Sequence, residues 1–582
     1  RQDIPRRANL WGWVKPKRPV PPARVFEAAG RIAADGGELA PLDEEAVRTA
    51  ARACRAAGVE AIAVCFLHSF ANPAHERRAL AILAEEAPEI AATASVEVLP
   101  VVREYERSMA AVLNAAVMPA VSTYVGRLER RLAGAGIAAP LLLMKSNGGV
   151  AGAATIRRQP AQTALSGPAA GVVGARAAAA DAGIADIITV DIGGTSADIA
   201  LLAGGAIGLT HTGRIGTWPL PLPMVDMVTI GAGGGSIARV TPEGALVVGP
   251  ESAGADPGPA CYGRGGDAAT VTDAHLVLGH LPPALLGGRM ALDPARAERA
   301  VRERVATPLG LPVEEAARGI LAIADNNMVG AIRIVSVERG HDPRAFTLVP
   351  FGGAGPLHGG ALARLLGIGR ILVPPAPGVL CAQGLLAADL QAEFSRTVAL
   401  VARTAPAARL EAAFADLEAE ASAWFDAEGV AAAGRTADRV ALMRYEEQGH
   451  ELAIPWPAGV DGAVDALVQG FETAHRRLYG FALPAATVEI VTLRVEATSR
   501  AAPPPRPEPA PGGDAAGALL GRQTVRLREG AVDAPIYDRA RLGAGAAIVG
   551  PAIITQLDAT TLVLPGQEAV VHRSGAMVVS ER

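Results

Sequence analysis

A chain of 582 residues with 50% hydrophobic content can bury several cores, so more than one domain is expected. A formal net charge of -5 removes the electrostatic case for nucleic acid, and no charge-free apolar run reaches the length of a membrane span. Four cysteines without CxxC spacing suit a reducing compartment, and the first residues lack a charged start followed by an apolar core, so a cytoplasmic location is expected.

The segment Arg1 to Arg24 is basic, but its prolines describe an extended surface stretch, and Trp11 and Trp13 are expected to cover a neighbouring domain. Asp43 to Ala57 has helical spacing, Ala61 to Leu67 reads as a buried strand, and His75 to Glu86 reads as a helix. Glu104 to Leu132 predicts a longer helix broken near Pro119, and Leu141 to Lys145 a strand ending at Asn147-Gly148-Gly149. This alternation predicts a layered α/β domain over residues 1–160. A second α/β domain is expected over 161–500, with helices at Gln162 to Ala178, Asn326 to Val337 and Arg409 to Ala432, and a strand at Val488 to Ala497. Residues 501–517 (AAPPPRPEPAPGGDAAG) read as a linker, because prolines extend it and small residues bury no core. In residues 518–582, Gln523 to Leu527, Ala534 to Tyr537, Gly550 to Gln556 and Thr560 to Val571 predict a small β-rich domain.

The most informative stretch is Ile187 to Leu202, IITVDIGGTSADIALL. An apolar run ends in Asp191, turns through Gly193, Gly194, Thr195 and Ser196, and returns through Asp198 into a second apolar run. Glycine lets backbone N–H groups approach phosphate oxygens, the hydroxyls add donors, and the two carboxylates suit Mg²⁺ held through its water shell. The same pattern suits a plain Gly-Gly hairpin whose aspartates cap the turn. A second glycine cluster, Phe351-Gly-Gly-Ala-Gly-Pro-Leu-His358, follows the apolar segment Phe346 to Pro350 and predicts a strand, a glycine loop and a helix start. Cys261, in PACYG, offers a soft ligand for a second divalent metal with Asp226, His275 or His358; the competing reading is a buried thiol. Helix packing is expected for His275 and a site-lining position for His358.

Taken together, SNGGV (Ser146 to Val150), SGPAAGV (Ser166 to Val172), DIGGTSADI (Asp191 to Ile199), DMVTIGAGGGSIA (Asp226 to Ala238), SAGADPGPACYGRGG (Ser252 to Gly266), TVTDAHLVLG (Thr270 to Gly279), SVERGHDPR (Ser336 to Arg344) and FGGAGPLHG (Phe351 to Gly359) resemble the A subunit of the ATP-dependent hydantoinase and 5-oxoprolinase family. YEEQGHEL (Tyr445 to Leu452) and VGPAIITQLDATTLVLPGQ (Val549 to Gln567) extend the likeness towards the C-terminus. The resemblance implies an actin-like nucleotide-binding fold of the sugar kinase and heat shock chaperone type, with a small β-rich C-terminal domain. Such chains begin with another DxGGTxxD hairpin, and none lies upstream of Asp191, so an N-terminally incomplete chain is expected.

The implied reaction is ATP-driven opening of a cyclic amide or imide such as a hydantoin, 5-oxoproline or another lactam. In that reading Asp191 and Asp198 hold Mg²⁺ through water, Thr195 and Ser196 with the Gly193 and Gly194 amides bind phosphates, and Gly352, Gly353 and Gly355 lie on the adenosine. Asp226 and the loop Gly231 to Ser236, with Gly233 and Gly234, line the phosphate or substrate side. The expected partners are a hydantoinase B type subunit in a hetero-oligomer and a small cyclic amide. Two alternatives remain at this level: an acetone-type carboxylase subunit, which uses the same clamp, and a non-catalytic ATP-binding module of the actin or chaperone class.

Overall fold

The computed structural model describes residues 17–457, 463–501, 510, 512 and 515–582. Trp11, Trp13 and most of the expected 501–517 linker lie outside them. The described chain forms two compact units. The first takes residues up to Ser166, Thr210–Met224 and Ala388–Ala501; the second takes Gly167–Leu209, Val225–Ala387 and the residues after Ala501. This differs from the sequential division expected above, because a strand's partners are set by edges that segments far apart in the chain complete.

The first unit is built on a six-stranded sheet. Val488–Ser499 pairs antiparallel with Leu390–Val401 and with Thr436–Tyr445. Val150–Gly152 joins parallel to Leu390–Val401, and Leu142–Met144 pairs antiparallel beyond it. Helix Ala407–Ala427 presents Leu410, Phe414, Leu417, Ala421 and Phe425 at helical spacing to Leu493 and Val495 of this sheet. Earlier in the chain, Ala61–Val64 pairs parallel with Ala91–Ala94 beside helices Glu44–Ala56 and Ala74–Glu86. Helix Ala74–Glu86 carries the fully buried Glu76, which accepts bonds from Phe66 N, Ser69, Ser95, Val96 N and Arg107. A buried carboxylate with an arginine and four further donors on it is tolerated where an unpaired one would not be.

Helix Glu104–Gly134 runs unbroken through Pro119, contrary to the expected break. Burial of Ala111, Ala115, Met118 and Val125 along this helix offsets the roughly 3 kcal/mol that an interior proline costs.

The second unit centres on a nine-stranded mixed sheet whose order is Met227–Ile230, Ala197–Ala203, Ile187–Ile192, Thr347–Phe351, Arg370–Val373, Met577–Glu581, Gln567–Val571 and Ala547–Val549, with Ala206–Ile207 paired onto Ala197–Ala203. The strand expected over Thr560 to Val571 is two strands. Thr560–Val563 pairs with Ala552–Thr555 in a separate four-stranded sheet, whereas Gln567–Val571 extends the nine-stranded one. Gly566, at φ +79°, makes the turn between them. The C-terminal strands therefore belong to the second unit.

Helix Val313–Val335 buries Ala316, Ile320, Ala324, Met328, Ile332 and Val335 in this unit's core, which explains why a segment apolar enough to cross a membrane lies in a packed interior. Helix Ser166–Asp181 crosses helix Leu380–Leu386 backbone to backbone. A Cβ at Gly174 would lie 2.6 Å from the Leu380 carbonyl, and one at Gly171 would lie 2.7 Å from the Phe351 ring. The small residues of SGPAAG thus serve a close crossing.

Candidate active site

Strands Ile187–Ile192 and Ala197–Ala203 pair in register, with Asp191 opposite Asp198 and Ile192 opposite Ala197. Directly opposed residues of an antiparallel pair share a face, with Cβ atoms about 5 Å apart, so the two carboxylates stand side by side at the end of the hairpin. Between them the chain turns through Gly193–Ser196, closed by a 3.1 Å bond from Gly193 N to Ser196 O. Among the described residues, the N–H groups of Gly194, Thr195 and Ser196 have no acceptor. Gly194 and Thr195 are exposed. Three free donors at one turn form a concavity suited to an anion.

Two other glycine segments hold this turn. Thr347–Phe351 lies parallel to Ile187–Ile192 with Phe351 level with Asp191, so the loop after it starts where the hairpin's first strand ends. Ala354 N donates to Ile192 O at 3.0 Å. Gly352 sits at φ +76°, and a Cβ there would lie 2.5 Å from Ile192 O and collide with the Asp191 carboxylate. Gly353 is exposed beside it, and Gly355 begins helix Gly355–Leu366.

The loop Gly231 to Ser236 backs the turn. Gly234 N donates to Gly193 O (3.0 Å), Gly235 N to Gly194 O (2.6 Å) and Gly233 N to Ser236 Oγ (2.9 Å). A Cβ on Gly233 would lie 2.7 Å from Thr195 N. The amides of Gly233 and Gly234 are therefore committed to protein acceptors, and these residues support the turn rather than offering donors to a phosphate. Thr272 completes the support, its N and Oγ both donating to Gly234 O at 2.8 Å.

Burial lifts the Asp191 carboxyl to about 6, a bond from the Cys381 thiol opposes the rise, and the charge of Asp198 adds to it. The thiol donates to Oδ2 at 3.4 Å and is itself pushed up to about 12 by burial and by Asp191. Burial also raises Asp198, against a bond from the Thr229 hydroxyl. Two half-buried carboxylates facing one another are held at a cost that a hard cation would remove. Two oxygens of this kind, with phosphate oxygens and water, are a donor set that Mg²⁺ accepts. Cys381 lies in none of the family-like strings, and Thr229 and Thr272, which do, show no role there by themselves; Thr229 reaches Asp198 only because strand Met227–Ile230 pairs with Ala197–Ala203 in that register.

Asp226 does not join this group. It lies three residues, about 10 Å of strand, from Thr229, and both its oxygens bind Arg339. The proposed grouping of Asp226 with Cys261, His275 and His358 is not formed either. Among the described residues no cluster of three or more His, Cys, Asp or Glu side chains is arranged to hold a metal. Cys261 is fully buried, its thiol raised by burial and by Asp273, whose carboxylate accepts its backbone N–H at 2.8 Å.

His275 and His358 do meet, as part of a buried chain. Asp325 Oδ1 lies 2.6 Å from His358 Nδ1, His358 Nε2 lies 3.3 Å from His275 Nε2, and His275 Nδ1 lies 3.0 Å from His280 Nδ1. Burial pulls His275 well below the usual histidine range and His280 down to about 4, so the bond between these two is made between neutral rings. His358, 1% exposed, packs inside rather than lining the glycine loop.

The hydantoinase/oxoprolinase family model matches residues 107–394, with the family's N-terminal region at 4–87 and its C-terminal domain at 400–574. The N-terminal match gives no support to the expected loss of that region. The chain is 36% identical to caprolactamase subunit alpha of Pseudomonas jessenii, over 92% of this chain and 78% of that one. It is 34% identical to the acetophenone carboxylase gamma subunit of Aromatoleum aromaticum, over 97% and 80%. Its structure is similar to that of the ATP-dependent caprolactamase of Pseudomonas jessenii, with a TM-score of 0.87 at 34% identity, covering 96% of this chain and 82% of the other. It is also similar to nucleotide-free acetone carboxylase, with a TM-score of 0.77 at 29% identity, covering 95% and 81%.

Proposed function

Because the chain belongs to the hydantoinase/oxoprolinase family, we propose that it is the ATP-using subunit of an enzyme that opens a cyclic amide or imide by phosphorylating its carbonyl oxygen. The observation that carries this reading is the opposed pair Asp191 and Asp198 at a turn whose Gly194, Thr195 and Ser196 amides are free. Thr195 and Ser196 hydroxyls join those amides on the phosphates of ATP, and Gly352 and Gly353 let the nucleoside approach without a Cβ in the way. An actin-like nucleotide fold is the architecture this arrangement suits. Asp191 and Asp198 would hold Mg²⁺, which would supply charge neutralisation on the phosphates.

An amide carbon resists water because its nitrogen donates into the carbonyl. Transfer of the γ-phosphoryl group to the carbonyl oxygen leaves ADP and makes the carbon electrophilic. Water adds, the ring C–N bond breaks to give an acyl phosphate, and a second water attacks the acyl carbon, breaking its bond to the bridging oxygen and releasing phosphate that keeps the original carbonyl oxygen. In-line transfer asks the protein for positioning and electrostatics more than for a nucleophile, which agrees with a site of glycines, hydroxyls and two carboxylates. A hydantoinase B type partner completes the hydrolysis in a cytoplasmic hetero-oligomer.

The test uses the complex with its partner and a lactam labelled with ¹⁸O at the carbonyl. About one phosphate is released per ring opened, and it carries the label. Label retained wholly in the product carboxylate, or ATP hydrolysis without ring opening across hydantoins, 5-oxoproline and simple lactams, refutes the reading. The 34% identity to a carboxylase gamma subunit supports a second reading, ATP-dependent carboxylation of a ketone. Incorporation of labelled bicarbonate into acetone or acetophenone, with no lactam opened, decides for it.

A further inference from the structure

The first unit contains a cavity of about 1010 Å³, whose lining includes none of the glycine-turn residues. Its polar floor includes Lys145, Asn147, Thr492 and Arg494, all more than nine-tenths buried. Arg494 is answered by Glu393 at 3.3 Å and Glu496 at 2.8 Å. Lys145 is not answered. Its ammonium has no hydrogen bond and no ion pair with any described residue, at 4% exposure.

The backbone around this lysine is pinned. Lys145 N donates to Gly149 O at 2.8 Å, Asn147 Oδ1 accepts from Gly149 N at 3.1 Å, and Ser146 Oγ donates to Gln162 O and Ala164 O. The two carboxylates near enough to act on Lys145, Glu393 and Glu428, are committed elsewhere. Glu393 pairs with Arg494, and Glu428 accepts from Gly152 N at 3.0 Å and Thr155 Oγ at 2.9 Å. Burial brings the lysine only to about 8, so it is mostly charged at neutral pH. An ammonium kept without a partner at the floor of an open cavity is a vacancy for one negative charge.

The surroundings narrow the ligand. His211, also lining the cavity, is held at about 4 by burial and by Arg494 and stays neutral, so it adds no second buried charge beside Lys145. Phe394, Trp424 and Leu222 add apolar wall. Arg77, Arg158, Arg396 and Arg409 also line the cavity but none of them is buried, so the buried ammonium fixes the place of one negative group, and the apolar wall suits an organic anion better than inorganic phosphate.

We propose that this cavity binds a small carboxylate-bearing molecule, with Lys145 as the counterion of its carboxylate. The proposal names a substrate class for the reading above, and rests on that reading only for the identity of the ring; the anion site rests on the lysine's burial and lack of a partner.

The test is calorimetric titration of the whole chain, without ATP, with 5-oxoproline, 2-pyrrolidone (the same ring without the carboxylate), bicarbonate and phosphate. 5-Oxoproline should bind at least tenfold tighter than each of the other three. Lys145→Met should lose at least tenfold for 5-oxoproline, leave 2-pyrrolidone unchanged, and melt no lower than wild type, because a buried unpaired charge has been replaced by an isosteric apolar chain. Equal binding of 5-oxoproline and 2-pyrrolidone, tighter binding of bicarbonate or phosphate, no binding at all, or wild-type affinity in Lys145→Met overturns the proposal. If Lys145→Met melts lower, the wild-type comparison of the four ligands decides alone. Failure of lactam-dependent ATP turnover would count against the reaction proposed above and would leave the titration result standing.

Discussion

Asp191→Asn separates what Asp191 does for turnover from what it does for stability. A carboxyl held at about 6 against an ordinary 3.8 makes the ionised form cost about 3 kcal/mol, and its partial exposure screens this to about 1–2 kcal/mol. The folded chain binds this proton more tightly than the unfolded chain. Below about pH 4 both states are protonated and the residue has no effect; between about 4 and 6 the unfolded state ionises first and stability falls as pH rises; above about 6 the full penalty persists. Asparagine keeps an acceptor for the Cys381 thiol and removes the charge. The ligand-free Asn variant should therefore be more stable than wild type by about 1–2 kcal/mol at pH 7.5 and no more stable at pH 4. ATP turnover by the complete enzyme should fall by about 10² to 10³, the worth of one charge-stabilising group. Urea denaturation at the two pH values, followed by a signal from the second unit, gives the stability arm, and phosphate release gives the other. A variant less stable than wild type at pH 7.5, or one with undiminished turnover, refutes the reasoning that Asp191 is a desolvated carboxylate awaiting a cation.

Thr229→Val removes the hydroxyl that opposes the rise of Asp198, so that carboxyl climbs further; the acid limb of the activity profile should move to higher pH and the Mg²⁺ requirement should rise about tenfold, with little change in maximal rate at pH 8. Gly352→Ala places a Cβ against Asp191 and Ile192 at a left-handed backbone position, and should cost more than about 2 kcal/mol of stability and abolish nucleotide binding by titration. Asp325→Ala leaves His358 Nδ1 without its acceptor and should lower stability by about 1–3 kcal/mol, while a chelator leaves the melting temperature of the wild-type chain unchanged; a stabilising transition metal recovered with the protein would contradict a histidine chain held by its own hydrogen bonds. Arg107→Met strands Glu76 in the first unit's interior and should cost about 3–5 kcal/mol, measured by thermal unfolding.

Local sequence determined the elements that carry the glycine turn. Asp191, Gly193, Gly194, Thr195, Ser196 and Asp198 are contiguous, and a hairpin brings its own two strands into register without help from the rest of the chain, so the facing carboxylates were legible directly. The glycines after Phe351 were legible for the same reason, since strand, loop and helix follow one another. What tertiary structure alone decided depends on segments far apart in the chain. Strand pairing brought Thr229 to Asp198, the return of residues 377–386 brought Cys381 to Asp191, and the packing of the loop Gly231 to Ser236 consumed the amides that a reading of glycines would leave free. The same distinction separates Asp226 from the site and draws His275 and His358 into a buried chain instead of a metal centre, because composition names ligand types but only packing sets which of them face one another. Residues 388–501 complete the first unit's sheet, and the last strands extend the second unit's sheet, because an open sheet edge is satisfied by whichever segment reaches it, irrespective of its place in the chain.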